Sequence, residues 1–171
     1  MIYLNIGTNI EFNNNDRYTN IYNCLKLLQE KKIKIVKISN FFETPSYPDK
    51  KNKKFINLSA EINYIGPPID LIKDLLLIEK KMGRVRNAKN QPRIIDIDII
   101  DFNGKVIDLE NLKIPHPRAH IRNFVLYPLK ELNSNWIHPS IKQNIDFFIK
   151  KLSSTSRIEI TRIKKSDIKL I

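Results

Sequence analysis

A chain of 171 residues that is 42% hydrophobic and 28% charged has enough apolar side chain for one domain with a filled core. No run of about 18 apolar residues marks a membrane span, the opening MIYLNIGTN lacks the parts of a secretory signal, and the single cysteine, Cys24, excludes an internal disulfide, so a cytoplasmic protein is expected. The net charge of +12 admits a polyanionic ligand, nucleic acid or ATP, although lysines scattered among many isoleucines and asparagines also fit an A+T-rich coding sequence. Met1–Ile6 is a short apolar run ending at Gly7, which suits an inner strand followed by a loop. Asn13–Asp16 is turn chemistry ending in a helix N-cap. Ile21, Cys24, Leu25 and Leu28 then recur at helical spacing, so about Arg17–Lys31 is an amphipathic helix. Ile33, Ile35, Ile38 and Phe41 form a second strand, which Thr44-Pro45-Ser46-Tyr47-Pro48 stops before a lysine-rich loop. From Phe55 to Ile62, Phe55, Asn57, Ser59 and Glu61 alternate with Ile56, Leu58, Ala60 and Ile62, a third strand with one apolar face. Pro67 and Pro68 open a second helix with Leu71, Leu75, Ile78 and Met82 as its buried stripe and Gly83 as its C-terminal cap.

The next stretch, Gly83 to Ile100, reads GRVRNAKNQPRIIDIDII. It starts as a basic loop holding Arg84, Arg86, Lys89 and Arg93, and it ends as an acidic strand. Side chains alternate along a strand, so Asp96 and Asp98 share a face, their Cα atoms roughly 6–7 Å apart, while Ile95, Ile97 and Ile99 turn to the core. Two neighbouring carboxylates repel unless a cation sits beside them. Their hard oxygens suit Mg²⁺, and arginines upstream grip phosphate through forked, charge-assisted hydrogen bonds. A site for a metal-bound polyphosphate needs this combination. Taken alone, the stretch is equally an ordinary half-exposed strand beside a solvated loop. Farther on, Asn103-Gly104 predicts a hairpin in which Ile94–Phe102 pairs with Lys105–Val106. Pro115–Arg122 reads as a loop with one helical turn, Phe124–Leu129 as apolar and extended, and Ile141–Leu152 as a helix with Ile145, Phe148, Ile149 and Leu152 inward. Arg157–Ile163 alternates as a last strand, and Asp167–Ile171 is a tail without an assignment. The β-α-β-β-α-β order predicts a ferredoxin-like α+β sandwich, a mainly antiparallel sheet with helices packed on it, in one domain over 1–171 with a C-terminal strand and tail from about 153.

Several separated pieces line up with one family. They are IGTN at Ile6–Asn9, Thr44-Pro45, Phe55-Ile56-Asn57, Glu79, GRVR at Gly83–Arg86, PRIIDIDI at Pro92–Ile99 and PHPRAHIRNFVLYPL at Pro115–Leu129. In these pieces, and in their order, the chain resembles the 6-hydroxymethyl-7,8-dihydropterin pyrophosphokinases of folate biosynthesis. The resemblance implies transfer of diphosphate from ATP to the hydroxymethyl group of a reduced pterin, giving AMP and the pterin pyrophosphate. It implies that Asp96 and Asp98 hold two Mg²⁺ ions, with Asp98 also able to accept the hydroxyl proton, and that Arg84 and Arg93 join them in catalysis. It places Glu79, Arg84, Arg86, Arg93, Ile99, His116 and Arg122 around ATP. It places Phe55 and Phe124 as aromatic walls of the pterin site, with Thr8, Asn9, Thr44, Pro45, Tyr47 and Asn57 around them.

Four departures from the family pattern stand out. The basic loop at Asn87–Gln91 is one residue short and lacks a tryptophan; Tyr47 replaces a leucine; Lys113 replaces a small hydroxyl residue; and Leu76 replaces a polar one. None touches the acidic pair, so altered affinity and rate are expected rather than lost activity. His116 and His120 are spaced for two zinc ligands on a helix, but no cysteine or third histidine is near them in the sequence. An RNA-binding module shares the element order and the charge, yet a central strand carrying Asp96 and Asp98 repels phosphate without a metal. A catalytically dead nucleotide-binding domain has no reason to keep Asp96, Asp98, Arg93 and His116 together. The expectation is therefore a monomer acting on small molecules, with no nucleic acid and no membrane as partner.

Overall fold

The computed structural model describes residues 1–46, 50–84 and 93–167. Strand β1 (Ile2–Thr8) runs through the middle of one sheet, antiparallel to β4 (Phe55–Asn63) on one side and to β5 (Asp96–Phe102) on the other. Beyond β4 lie β2 (Lys34–Ile38) and β3 (Phe41–Thr44), and β8 (Thr161–Ile163) adds to the outer side of β3. Every pairing is antiparallel, and the order agrees with the ferredoxin-like expectation. Helices α1 (Arg17–Glu30) and α2 (Pro68–Lys81) cover one face of the sheet. Leu25 and Leu28 of α1 and Leu71, Leu75 and Ile78 of α2 join Leu4, Ile6, Leu58, Ile97 and Ile99 in one core. Asp16 caps α1 by accepting from the Thr19 N–H at 2.7 Å. Gly83, with φ of +85°, ends α2 where a Cβ would stand 2.6 Å from the Phe12 ring.

The other face carries α3 (Asn123–Leu132), α4 (Ile145–Lys151) and the short α5 (Ser154–Ile158). A second core forms there around Tyr3, Ile100, Val125, Leu126, Leu129, Trp136, Ile145 and Phe148. This second layer corrects two expectations. The stretch 124–129 is helical rather than extended, with Val125, Leu126 and Leu129 on the buried side. A six-residue apolar run is too short for its period to separate strand from buried helix. Strand β4, read as having one apolar face, is buried on both, because α3 packs against it on the side away from α1 and α2.

Three further boundaries differ. The single strand expected over 33–41 is broken at Ser39 and Asn40 into β2 and β3, which pair with successive halves of β4. The Ser39 hydroxyl accepts from the Ser59 N–H at 3.0 Å, and Glu131 accepts from the Asn40 N–H at 2.8 Å, so the jog is fastened from both sides. Asn103 and Gly104 do turn the chain with φ of +54° and +71°, but 105–106 does not pair with β5. The turn is tied instead to the start of β1, Met1 O accepting from the Asn103 N–H at 2.9 Å, and Asp101 accepts from the Gly104 N–H at 2.7 Å. The hairpin that forms joins β6 (Ile107–Leu109) to β7 (Leu112–Ile114). The last expected strand splits into α5, capped by Ser153, and the three-residue β8. The helix expected over 141–152 starts later, at Ile145, where Asn144 caps it.

Candidate active site

Register alone lays out the floor of the site. Gly7 on β1 stands opposite both Asp96 on β5 and Asn57 on β4, and Asn5 stands opposite both Asp98 and Ser59. Directly paired residues share a face, so Asp96, Gly7 and Asn57 form one polar row and Asp98, Asn5 and Ser59 the next. This is the face that α3 leaves partly open. A cavity of about 480 Å³ lies over it, lined among others by Asn5, Gly7, Thr44, Phe55, Asn57, Arg93, Asp96, Asp98, Arg122 and Phe124.

Gly7 is required by close approach. A Cβ there would stand 2.5 Å from Asn57 Oδ1, so the bare strand is what lets the Asn57 amide lie across it beside Thr44, to whose hydroxyl Asn57 Nδ2 donates at 3.5 Å. Gly7→Ala should leave the chain folded, displace the Asn57 side chain, and weaken binding of a pterin by about tenfold or more, roughly the loss of one well-placed hydrogen bond to a polar ligand. Calorimetric titration with a reduced pterin checks this, and unchanged affinity would contradict it.

At the acidic end, Arg84 and Arg93 both reach Asp96. Arg84 Nη1 donates to Asp96 Oδ1 at 2.6 Å and also to Glu79 Oε1, and Arg93 Nη1 donates to Asp96 Oδ2. Burial pushes the Asp96 carboxyl up, but the charges and hydrogen bonds of Arg84 and Arg93 outweigh it and hold the group below the ordinary carboxylate range. Among the described residues, Asp98 has no such guanidinium pair. Its Oδ2 is 3.6 Å from Arg122 Nη1 and 3.9 Å from His116 Nε2. Burial first, and the Asp96 charge second, push it up to about 7, with Arg122 opposing. Two acids of the same type on one strand are thereby held in different states. His116 is held well down, to about 4, by burial and by Arg122 and Arg118, so it is neutral. Its Nδ1 accepts from the Arg118 N–H at 3.1 Å, which leaves the proton on Nε2. Nε2–H and the Arg122 guanidinium, 3.4 Å from that nitrogen, are thus two donors turned to the same place, which is an anion cradle.

The aromatic expectation also meets in space. Phe55 at the start of β4 and Phe124 in the first turn of α3 both line the cavity, as do Thr44 and Pro45. The Arg122 guanidinium lies 5.3 Å from the Phe124 ring centre and so joins the aromatic end to the cationic end.

Other expected residues lie elsewhere. Thr8 and Asn9 are buried beneath Arg93 rather than in the cavity wall: Arg93 N–H donates to Asn9 Oδ1 at 2.7 Å, and Arg93 O accepts from the Asn9 N–H at 3.1 Å. They hold the end of the basic loop. Glu79 is buried too, accepting from the Ile97 N–H at 2.9 Å and from Arg84; it props Arg84 from behind. The Ile99 side chain is in the main core, on the face opposite Asp98, as strand alternation requires, so it does not reach the cavity. Lys113 pairs with Asp108 across the β6–β7 hairpin, and Leu76 sits on the outer side of α2. Tyr47, Arg86, Lys89 and the Asn87–Gln91 stretch lie outside the described residues. His120 meets His138 edge to face, ring centres 5.6 Å apart, so a third histidine that is distant in sequence is near in space. Even so, no group of three or more metal-ligating side chains occurs among the described residues. Asn5, Gly7, Arg118, Ser156 and Glu159 line the cavity without having been assigned to the site from the sequence, although Gly7 and Arg118 fall inside the quoted motifs. Asn5 and Gly7 carried one signal, a polar and a small residue interrupting an apolar strand, and the last two lie in the C-terminal stretch that bears no motif.

A family model described as 7,8-dihydro-6-hydroxymethylpterin-pyrophosphokinase (HPPK) matches residues 3–134. The chain is 33% identical over 147 residues to the 2-amino-4-hydroxy-6-hydroxymethyldihydropteridine pyrophosphokinase of Aquifex aeolicus, covering 86% of this chain and 89% of that protein. It is 38% identical over 141 residues to the folic acid synthesis protein FOL1 of Dictyostelium discoideum, covering 82% of this chain and 21% of that one. The chain thus spans about a fifth of the length of the FOL1 relative. The crystal structure of wild-type HPPK-DHPS from Plasmodium falciparum superposes over 95% of this chain and 44% of its own, with a TM-score of 0.72 at 20% identity, a likeness of fold.

Proposed function

Because the chain belongs to the 7,8-dihydro-6-hydroxymethylpterin-pyrophosphokinase family, we propose that it transfers diphosphate from ATP to the hydroxymethyl group of 6-hydroxymethyl-7,8-dihydropterin. The observation that carries this reading is one cavity lined both by Phe55 and Phe124 and by Asp96, Asp98, Arg93 and Arg122, with Arg84 and His116 reaching the same two aspartates from beside it. A flat heterocycle stacks on the two rings, its polar edge on Asn57 and Thr44. A polyphosphate is gripped by the arginines. The reacting hydroxyl then lies between, beside Asp98.

In the reaction the hydroxyl oxygen bonds to the β-phosphorus, the bond from that phosphorus to the oxygen bridging to the α-phosphorus breaks, and AMP leaves. Positioning and charge neutralisation supply most of the rate. The donor set fits Mg²⁺: two carboxylates on one face, with phosphate oxygens and waters to complete the shell. Asp96 and Asp98 would hold two such ions, which neutralise phosphate charge and polarise the phosphoryl oxygens. Arg84 and Arg93, paired with Asp96 in the ligand-free chain, exchange that partner for phosphate. His116 and Arg122 donate to the same polyphosphate. Asp98, on the strand face beside the reacting hydroxyl, is the group placed to take its proton. Glu79, Thr8 and Asn9 act through the arginines they hold. We place the reaction in the cytoplasm, where ATP is available. No helix among the described residues is long and apolar enough to cross a membrane.

Product identification tests the reading. With ATP, Mg²⁺ and the reduced hydroxymethylpterin, chromatography should resolve AMP, formed only when the pterin is present. ADP in its place would mean γ-phosphoryl transfer and would overturn the assignment.

A further inference from the structure

Asn5 stands in the middle of β1 between Leu4 and Ile6, in a strand that is otherwise mostly apolar. It is 4% exposed, it lines the floor of the cavity, and its Oδ1 has no hydrogen-bond partner among the described residues. Its cross-strand neighbour on one side is Asp98. On the other side it is Ser59, which is 0% exposed and whose Oγ is likewise without a partner. Paired residues share a face, so a carboxylate, an amide and a hydroxyl run in a row from the acidic centre inward beneath α3. Asparagine is a poor strand former, and a buried acceptor left unmatched destabilises the fold. Valine or alanine would pack there without either penalty. A local choice that works against the fold is what a binding site looks like.

The unmatched atom is an acceptor, so it calls for a donor. The row that carries Asn57 passes through Gly7 and ends on Asp96, and Asn5 lies in the neighbouring row on the same face, whose aspartate is Asp98. We infer that Asn5 is a positioning residue for the cation at Asp98, its side-chain carbonyl accepting from a water of that ion's shell and the Ser59 hydroxyl extending the same polar row. This rests on Mg²⁺ being held by Asp96 and Asp98 as proposed above. Mg²⁺ keeps several of its waters when bound by few carboxylates, and in a recessed floor those waters need acceptors. Outer-shell partners of this kind typically set metal affinity by about 10–100-fold.

The test uses Mn²⁺ as the probe, with α,β-methylene-ATP present, and reads free Mn²⁺ by electron paramagnetic resonance. Asn5→Leu, which keeps the branched shape and removes the amide, should weaken Mn²⁺ binding by about tenfold or more. Pterin affinity should stay within about twofold, and Tm of the metal-free protein should be unchanged or higher, because an unmatched buried acceptor is gone. Ser59→Ala should move Mn²⁺ affinity in the same direction by less. Mn²⁺ affinity within about twofold of the parent would overturn the inference. So would a fall in pterin affinity with Mn²⁺ binding intact, which would put Asn5 in the pterin site, or a lower Tm with both affinities kept, which would make it a packing residue. Asn5→Ala, with the same expectations for Mn²⁺ and pterin, serves if leucine is not accommodated. If the parent chain itself binds no Mn²⁺, the metal reading of Asp96 and Asp98 fails first, and this inference falls with it.

Discussion

Asp96→Ala should abolish turnover, lowering the rate by at least about a thousandfold, or roughly 4 kcal/mol of transition-state stabilisation, while pterin affinity stays within a few-fold. The reason is division of labour across one strand pair. Asp96 faces the cationic end, bound by Arg84 and Arg93, whereas the aromatic walls Phe55 and Phe124 and the amide of Asn57 rest on other elements. A second consequence has the opposite sign. Asp96 accepts from both guanidinium groups and offsets part of their charge. Without it, Arg93 loses the acceptor of its Nη1 and Arg84 keeps Glu79. Metal-free ATP should therefore bind more tightly to the variant than to the parent, by about threefold to tenfold at low salt, since a like charge near the phosphates is gone. Titration with ATP in EDTA, alongside turnover with Mg²⁺, reads both effects. Turnover within tenfold of the parent would mean that Asp96 holds no catalytic cation. Weaker metal-free ATP binding would mean that the arginines do not serve the phosphates.

What was legible in the sequence was whatever depends on neighbours in the chain. Period two in IIDIDII places both aspartates on one face, and it does so in the structure because β5 is regular through Asp98; the register shift against β1 comes only beyond it. The helical spacing of Leu71, Leu75 and Ile78 likewise holds. What was not legible depends on distant partners. The break at Ser39 and Asn40 is set by Glu131, and the Asn103-Gly104 turn by Met1. Helix α3 is a helix because the second core collects Val125, Leu126 and Leu129 with Trp136 and Phe148, and nothing within 124–129 announces that. The site shows the same split. Asp96, Phe55 and Phe124 carry chemistry that can be read one residue at a time. Gly7 and Asn5 matter for what stands across from them on two other strands, and Thr8, Asn9 and Glu79 matter because they hold arginines 85, 84 and 5 positions away.

Asp98→Asn should raise the stability of the metal-free protein at pH 8 and leave it unchanged near pH 4, at the same time as it removes activity. The Asp98 carboxyl is moved from an ordinary value of 3.8 up to about 7, by burial and then by Asp96. The folded state therefore disfavours its charged form. Below about pH 4 the group is protonated in both folded and unfolded chains and contributes no difference. Between about pH 4 and 7 the unfolded chain releases this proton and the folded chain retains it, so stability falls as pH rises across that window. Above pH 7 the group is ionised in both states and the full penalty is present. A displacement of that size corresponds to about 4 kcal/mol. The side chain is 25% exposed, so solvent screening reduces this to roughly 2 kcal/mol, or about 4–8 °C in Tm for a chain of this length. Asparagine cannot ionise and escapes the penalty. Thermal melts of both chains in EDTA from pH 4 to 8 should thus diverge as pH rises, the variant above. Mg²⁺ with a nucleotide should then close the gap by stabilising the parent alone, since binding to the folded state adds to its stability. Melting curves that stay parallel across the range would mean that Asp98 is an ordinary solvated carboxylate. The site would then lack the strained acid that gives it both its demand for a cation and its capacity to take a proton.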